Sequence, residues 1–167
     1  MRTFMILALV MATGLTLVGC GGKKQDECKA LVEAINPHVT ALGKLSDGLT
    51  ADTSPEASAK ALQSMVGEVE AGAAAVKKLN LETPELKKFG EDYQKMCTDS
   101  AKAFGDMIAV GKKVDAAQKA GATNPEAALA DLAAAVSEAT NAETAIKKAT
   151  APESAIVEGL NKFCGAE

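Results

Sequence analysis

Four Pro-Glu dipeptides divide the chain: Pro55-Glu56, Pro84-Glu85, Pro125-Glu126 and Pro152-Glu153. Inside a helix, proline removes a backbone hydrogen bond and collides with the preceding turn. In the first turn its missing N–H has no partner to lose. The adjacent glutamate meets the positive end of the helix dipole. Three of the pairs directly follow a capping residue, Ser54, Thr83 or Asn124. The fourth has Thr150 two residues upstream, with Glu153 at capping-box spacing. Each pair therefore reads as a helix start. Lys77-Lys78, Lys112-Lys113, Lys119 and Lys147-Lys148 place cations near the opposite ends, and Gly48 and Gly121 serve as stops.

Apolar residues recur at helical spacing and nowhere alternate as in a half-buried strand. Five helices are expected, at about 24–47, 55–79, 84–120, 125–149 and 152–164. Ile35, Val39 and Leu42 mark the apolar face of the first, and Leu62, Met65 and Val69 that of the second. Phe89, Tyr93, Met96, Cys97, Phe104 and Met107 mark the third. Leu129, Leu132, Val136, Ala139 and Ile146 mark the fourth, and Ile156, Leu160 and Phe163 the fifth. Pro37 should kink the first helix or restart it at Asn36. The fourth is crowded with alanine, which favours helix but buries little area. The expected fold is all-α: a slim antiparallel bundle of four main helices plus a short C-terminal helix. A shift of about 70 residues also lays 54–80 on 124–150, matching Pro55, Leu62, Val66 and Lys77 with Pro125, Leu132, Val136 and Lys147. Duplication and shared helix grammar both account for that match.

The first residues stand apart. Met1-Arg2 precedes an apolar run from Phe4 to Leu17, too short to span a bilayer but suited to a signal-peptide core. The run ends in Leu17-Val18-Gly19-Cys20. This resembles the lipobox of bacterial lipoproteins, an aliphatic residue and two small or apolar residues before a cysteine. The resemblance implies a diacylglyceryl thioether on Cys20, cleavage before it, and a further acyl chain such as palmitate on the new amino end. The chain would then divide into a signal peptide (1–19), a lipidated tether (20–24) and a helical bundle domain (25–167). Gly21 follows the cysteine where aspartate would mark inner-membrane retention in Gram-negative lipoproteins. The resemblance therefore places the protein in the cell envelope, at the outer membrane facing the periplasm or the cell surface.

Lipidation of Cys20 leaves Cys28, Cys97 and Cys164 in a disulfide-permissive compartment. Cys28–Cys164 is the favoured bridge, because both ends of an up-and-down bundle lie at one end of the molecule. Cys97–Cys164 is the alternative under the repeat reading, and Cys97 is otherwise a buried thiol. The chain also looks similar to small Ala/Lys-rich helical lipoproteins of the myxobacterial type, which carry a cysteine in the first helix and another near the C-terminus. Cys28 and Cys164 match that pattern, and Cys97 is additional to it.

The composition narrows the function. The net charge is -4, aromatics are 3% and tryptophan is absent, and Arg2, the only arginine, lies in the leader. A nucleic-acid partner calls for basic patches and stacking platforms, so none is expected. His38 is the only histidine, and no cysteine spacing suits a metal. No catalytic residues, metal or cofactor are expected. The leading expectation is a membrane-anchored, non-catalytic structural or protein-interaction module with an envelope protein partner. The alternative is a bundle that holds a small apolar ligand or lipid, lined by residues such as Met65, Met96, Met107 and Phe104; a cavity above about 300 Å³ would favour it. Replacing Cys20 with serine should abolish acylation and release the protein from the membrane fraction or leave it uncleaved. Mass spectrometry of the mature N-terminus checks this, and an unmodified Cys20 or cleavage elsewhere would refute it.

Overall fold

A computed structural model of the chain describes residues 22–50 and 55–165. The described secondary structure is helical throughout: α1 (Lys23–Thr50), α2 (Pro55–Lys77), α3 (Pro84–Ala120), α4 (Pro125–Thr150) and α5 (Glu153–Cys164). The proline positions set the starts as expected. Asn124 caps α4 by accepting a hydrogen bond from the Ala127 N–H at 3.3 Å. Thr83 precedes α3 without a side-chain cap, and its N–H donates instead to the Glu27 carboxylate of α1. Two sequence expectations change. α1 runs through Pro37 without a restart and past Gly48 to Thr50. Lys23 and Lys24, assigned to the tether, already belong to its first turn.

The start at Pro152 is a joint in a nearly continuous rod. Ala151 and Pro152 keep right-handed helical angles. The Ala151 N–H donates to the Lys147 carbonyl, and the Ile156 N–H to the Pro152 carbonyl. Proline has no N–H to donate and the Ala155 N–H does not bond to the Ala151 carbonyl, so the ladder breaks here while the helical angles continue. Thr150 is not a cap, because its hydroxyl donates back to the Ile146 carbonyl at 3.0 Å. The molecule is thus four antiparallel rods, the last being α4 joined to α5. The proposed repeat is not an arrangement the two segments share: α2 turns back into α3, whereas α4 runs straight on into α5.

Two kinds of packing hold the rods. Near the start of α1, large side chains form the core: Leu31 and Leu86 are wholly buried, and the cluster continues up the bundle through Ile35, Tyr93, Met65 and Phe104. Towards the far end, α4 packs on α3 through small side chains. Ala128, Ala135, Ala142 and Ala149 are buried at intervals of seven, and so are Ala103, Val110 and Ala117 on α3. A period of seven keeps one seam facing its partner along the whole contact. This corrects part of the expected core face of α4: Ile146 is buried and Leu132 and Ala139 are partly buried, but Leu129 and Val136 are 68% and 66% exposed. Alanine lets the two backbones approach closely, and the larger residues are left outside the seam.

The solvent face of α3 carries its own ladder. Lys88, Lys95 and Lys102 pair with Asp92, Asp99 and Asp106, each four residues on, at 2.6, 2.6 and 3.0 Å. Such exposed pairs contribute roughly 0.3–0.5 kcal/mol each. Lys113 reaches across to Glu138 and clasps α3 to α4 at 2.6 Å.

Gly72 of α2 marks the tightest approach within the core. A Cβ there would lie 2.8 Å from the Tyr93 hydroxyl and 3.3 Å from His38 Cβ. Gly72→Ala should therefore destabilise the fold by about 1–3 kcal/mol in urea denaturation. Tyr93→Phe removes the clashing oxygen, so the double variant should lose less than the two single losses combined; strict additivity would refute the clash.

Candidate functional site

The base of the molecule, where α1 begins, is tied to every neighbouring element. Lys23 pairs with Glu82 in the α2–α3 connection. Glu27 accepts the Thr83 N–H at 2.9 Å, and that bond holds its carboxyl below the usual carboxylate range. Cys28 is joined to Cys164 by a disulfide with Cα atoms 5.9 Å apart. That separation suits an unforced bridge. It is reached because α5 continues the line of α4 down to the start of α1. Lys24 lies 4.0 Å over the Phe163 ring, and Phe163 meets Phe89 of α3 edge-on. A Cβ at Gly159 would lie 2.8 Å from Phe89, so glycine is what lets α5 settle against α3 here.

Above the base the helices part. α1 packs on α2 and touches α3 and α5 lightly, while α4 packs on α3. The gap between α1 and the α4–α5 rod is a cleft of about 290 Å³. Its walls are apolar, with Val39 and Leu42 from α1, Met65 from α2, Met96 and Phe104 from α3, and Val157 from α5. Met65, Met96 and Phe104 thus stand where the ligand alternative expected them, whereas Met107 packs at the edge of the core. A second groove of about 340 Å³ lies along the α3–α5 side near Pro152, but Asp92, Lys95, Asp99 and Lys148 line it. At about 290 Å³ the first cleft is smaller and just short of the roughly 300 Å³ expected of a ligand cavity, and its apolar walls make it the better candidate of the two.

Several polar groups converge on that cleft. Asn36, Tyr93, Cys97, Glu153 and Asn161 all line it. The side-chain oxygens of Asn36 and Asn161 are buried without a hydrogen-bond partner. Such orphaned acceptors are uncommon, since each costs roughly 1–3 kcal/mol in a folded protein. Burial raises the Glu153 carboxyl above its usual range. The Cys97 thiol is pushed up to about 11, chiefly by burial. Burial likewise drives the Tyr93 phenol upward, with the neighbouring Cys97 adding to the effect. At neutral pH Cys97 is a protonated, poorly nucleophilic thiol.

The other candidate residues fall elsewhere. Cys20 lies outside the described residues. His38 is half-buried on α1, and its Nδ1 meets the Glu68 carboxylate of α2 at 3.0 Å. It is not beside a cysteine pair, and no group of three potential metal ligands occurs among the described residues. Among the described residues, no helix is long and apolar enough to cross a membrane. The roles of Asn36, Glu153 and Asn161 escaped the sequence reading. The available signal was their position one to three residues from Ile35, Ile156 and Leu160, on apolar helix faces. Compared with protein-family models, curated proteins and solved structures, the chain matches none. The class it defines is that of an all-α bundle.

The thiol chemistry gives a direct check. Native, oxidised protein treated with an alkylating reagent at mildly alkaline pH should stay unlabelled. After denaturation without reductant, Cys97 alone among Cys28, Cys97 and Cys164 should take the label, and peptide mapping should recover Cys28 linked to Cys164. Reduction of that bridge should lower stability by up to about 5 kcal/mol on the chain-entropy account of so long a loop. A Cys97–Cys164 peptide, or labelling of native Cys97, would contradict the arrangement.

Proposed function

We propose that the chain is a lipid-anchored protein of the bacterial cell envelope, held through Cys20, that acts as a non-catalytic structural or protein-interaction module. The observation that carries this reading is the α3–α4 arm. α3 has 37 residues, about 55 Å at 1.5 Å per residue. With the base next to the anchor, the far end of this arm stands well away from the bilayer. Along α4, Leu129 and Val136 are exposed and seven residues apart, with Leu132 half-buried between them. A stripe with this spacing fits an apolar-faced helix of an envelope protein. The acidic, arginine-poor composition argues against nucleic acid. Gly21 after the cysteine supports outer-membrane delivery.

A photo-crosslinking residue placed at 129 or 136 in intact cells should give one discrete adduct, and the same residue at exposed Lys87 should not. Leu129→Lys and Val136→Lys should each change stability by less than about 0.5 kcal/mol and weaken capture from the other position. Indiscriminate labelling at all three positions would refute the reading. A second reading has a specific observation in its favour: the apolar cleft between α1 and the α4–α5 rod supports binding of a small apolar ligand or lipid.

A further inference from the structure

The apolar cleft has an unbalanced polar floor. A buried amide oxygen needs a donor, and a carboxylate removed from water needs a cation or several donors. Glu153 has neither an ion pair nor a hydrogen bond among the described residues. Lys147 stands at the rim of the same cleft, but its ammonium is exposed and held 2.9 Å from Glu143. Tyr93 and Cys97, neighbours one turn apart on α3, are uncharged and do not neutralise the carboxyl. The Asn36 and Asn161 oxygens are buried without a donor, and the Glu153 carboxyl is the one acidic group that lines the cleft. The walls above them are aliphatic, methionine and phenylalanine side chains. Methionine adapts its shape to an apolar guest, and the faces of Tyr93 and Phe104 favour a cation.

We propose that this cleft binds an amphiphilic primary amine, its ammonium group seated on Glu153 and its apolar body lying against Val39, Met65 and Phe104. The inference rests on the second reading above, in which the cleft is a ligand site. Charge decides the ligand class. An ammonium group brings donors and a positive charge to a cleft whose unpaired ionisable group is the Glu153 carboxyl. A fatty acid would set its carboxylate against Glu153. An alcohol would supply a single donor and leave the carboxylate unneutralised. The bound amine also removes the cost of the unpaired carboxyl, because a buried charge is tolerated when paired and hydrogen-bonded.

The sequence supplies the reporter. Tyr93 is the only tyrosine and there is no tryptophan, so tyrosine emission reads this cleft and nothing else. n-Decylamine, 1-decanol and decanoate, each below its aggregation limit, would be titrated into the purified full chain while following Tyr93 emission and heat of binding. Decylamine should bind saturably with one site and at least tenfold more tightly than either analogue. Glu153→Gln should cut decylamine affinity tenfold or more and leave decanol affinity unchanged, the latter showing that the cleft is still formed. Decanol or decanoate binding as tightly as decylamine would overturn the amine assignment while leaving the cleft as a ligand site. Saturable decylamine binding that Glu153→Gln does not weaken would also overturn it. Binding of none of the three would overturn the ligand-site reading itself.

Discussion

An alanine every seventh residue, at 128, 135, 142 and 149, governs how the other helices are placed. Small side chains bring α4 close to α3 but remove little apolar surface from water, and hydrophobic stabilisation scales with that surface. The distal arm is held by the close contact of two alanine-lined backbones, by the high helix propensity of alanine, and by ion pairs such as Lys113–Glu138. The large residues are concentrated nearer the base. There Leu31, Leu86 and Tyr93 form an ordinary core, and α5 is tied to α1 by Cys28–Cys164. The arm inherits its order from the base through the unbroken course of α3 and the near-continuous α4–α5 rod.

The same closeness accounts for the cleft. α3 is contacted by α2 on one side and by α4 on the other, both along much of its length. Having settled on α3 through alanines, α4 lines the cleft with Lys147 and Thr150 and brings no large apolar side chain to it. Consequently Val39 and Leu42 of α1 remain only partly buried and border open space instead of a fourth helix. A row of leucines on the α4 seam would push that helix outward and alter the gap. The void and the tight seam are two results of one choice of side-chain size. The polar floor of the void lies at the joint between α4 and α5, where Pro152 interrupts the hydrogen-bond ladder and Glu153 begins the next turn.

The fold was largely legible because proline and glutamate at a helix start act locally, through one missing N–H and one dipole. Helix limits inferred from them fall within a few residues of those observed. Thr150 misled because its hydroxyl has two local partners within reach, a capping site ahead or a carbonyl one turn behind, and a continuous rod favours the second. The face of α4 misled for another reason. Ranking residues by hydrophobicity picks out Leu129 and Val136, whereas helix contact at short range is decided by size, which picks out the alanines beside them. The candidate site was barely legible. Asn36 and Asn161 are polar residues on helices with ample solvent-facing positions, and only tertiary packing reveals that their oxygens are enclosed. Cys28–Cys164 was inferable in outline because an even number of antiparallel rods returns the chain to its starting end.

That bridge has a further consequence for how the chain responds to proteolysis. Residues 28 to 164 form a closed covalent ring containing nearly all of the described helices. A single proteolytic cut inside the ring, for instance in the short α3–α4 connection at 121–124, opens it without separating the pieces. The C-terminal fragment stays linked through Cys164 to the N-terminal segment that holds Cys28. Freeing the distal arm from that segment then needs a second cut inside the ring or a reductant.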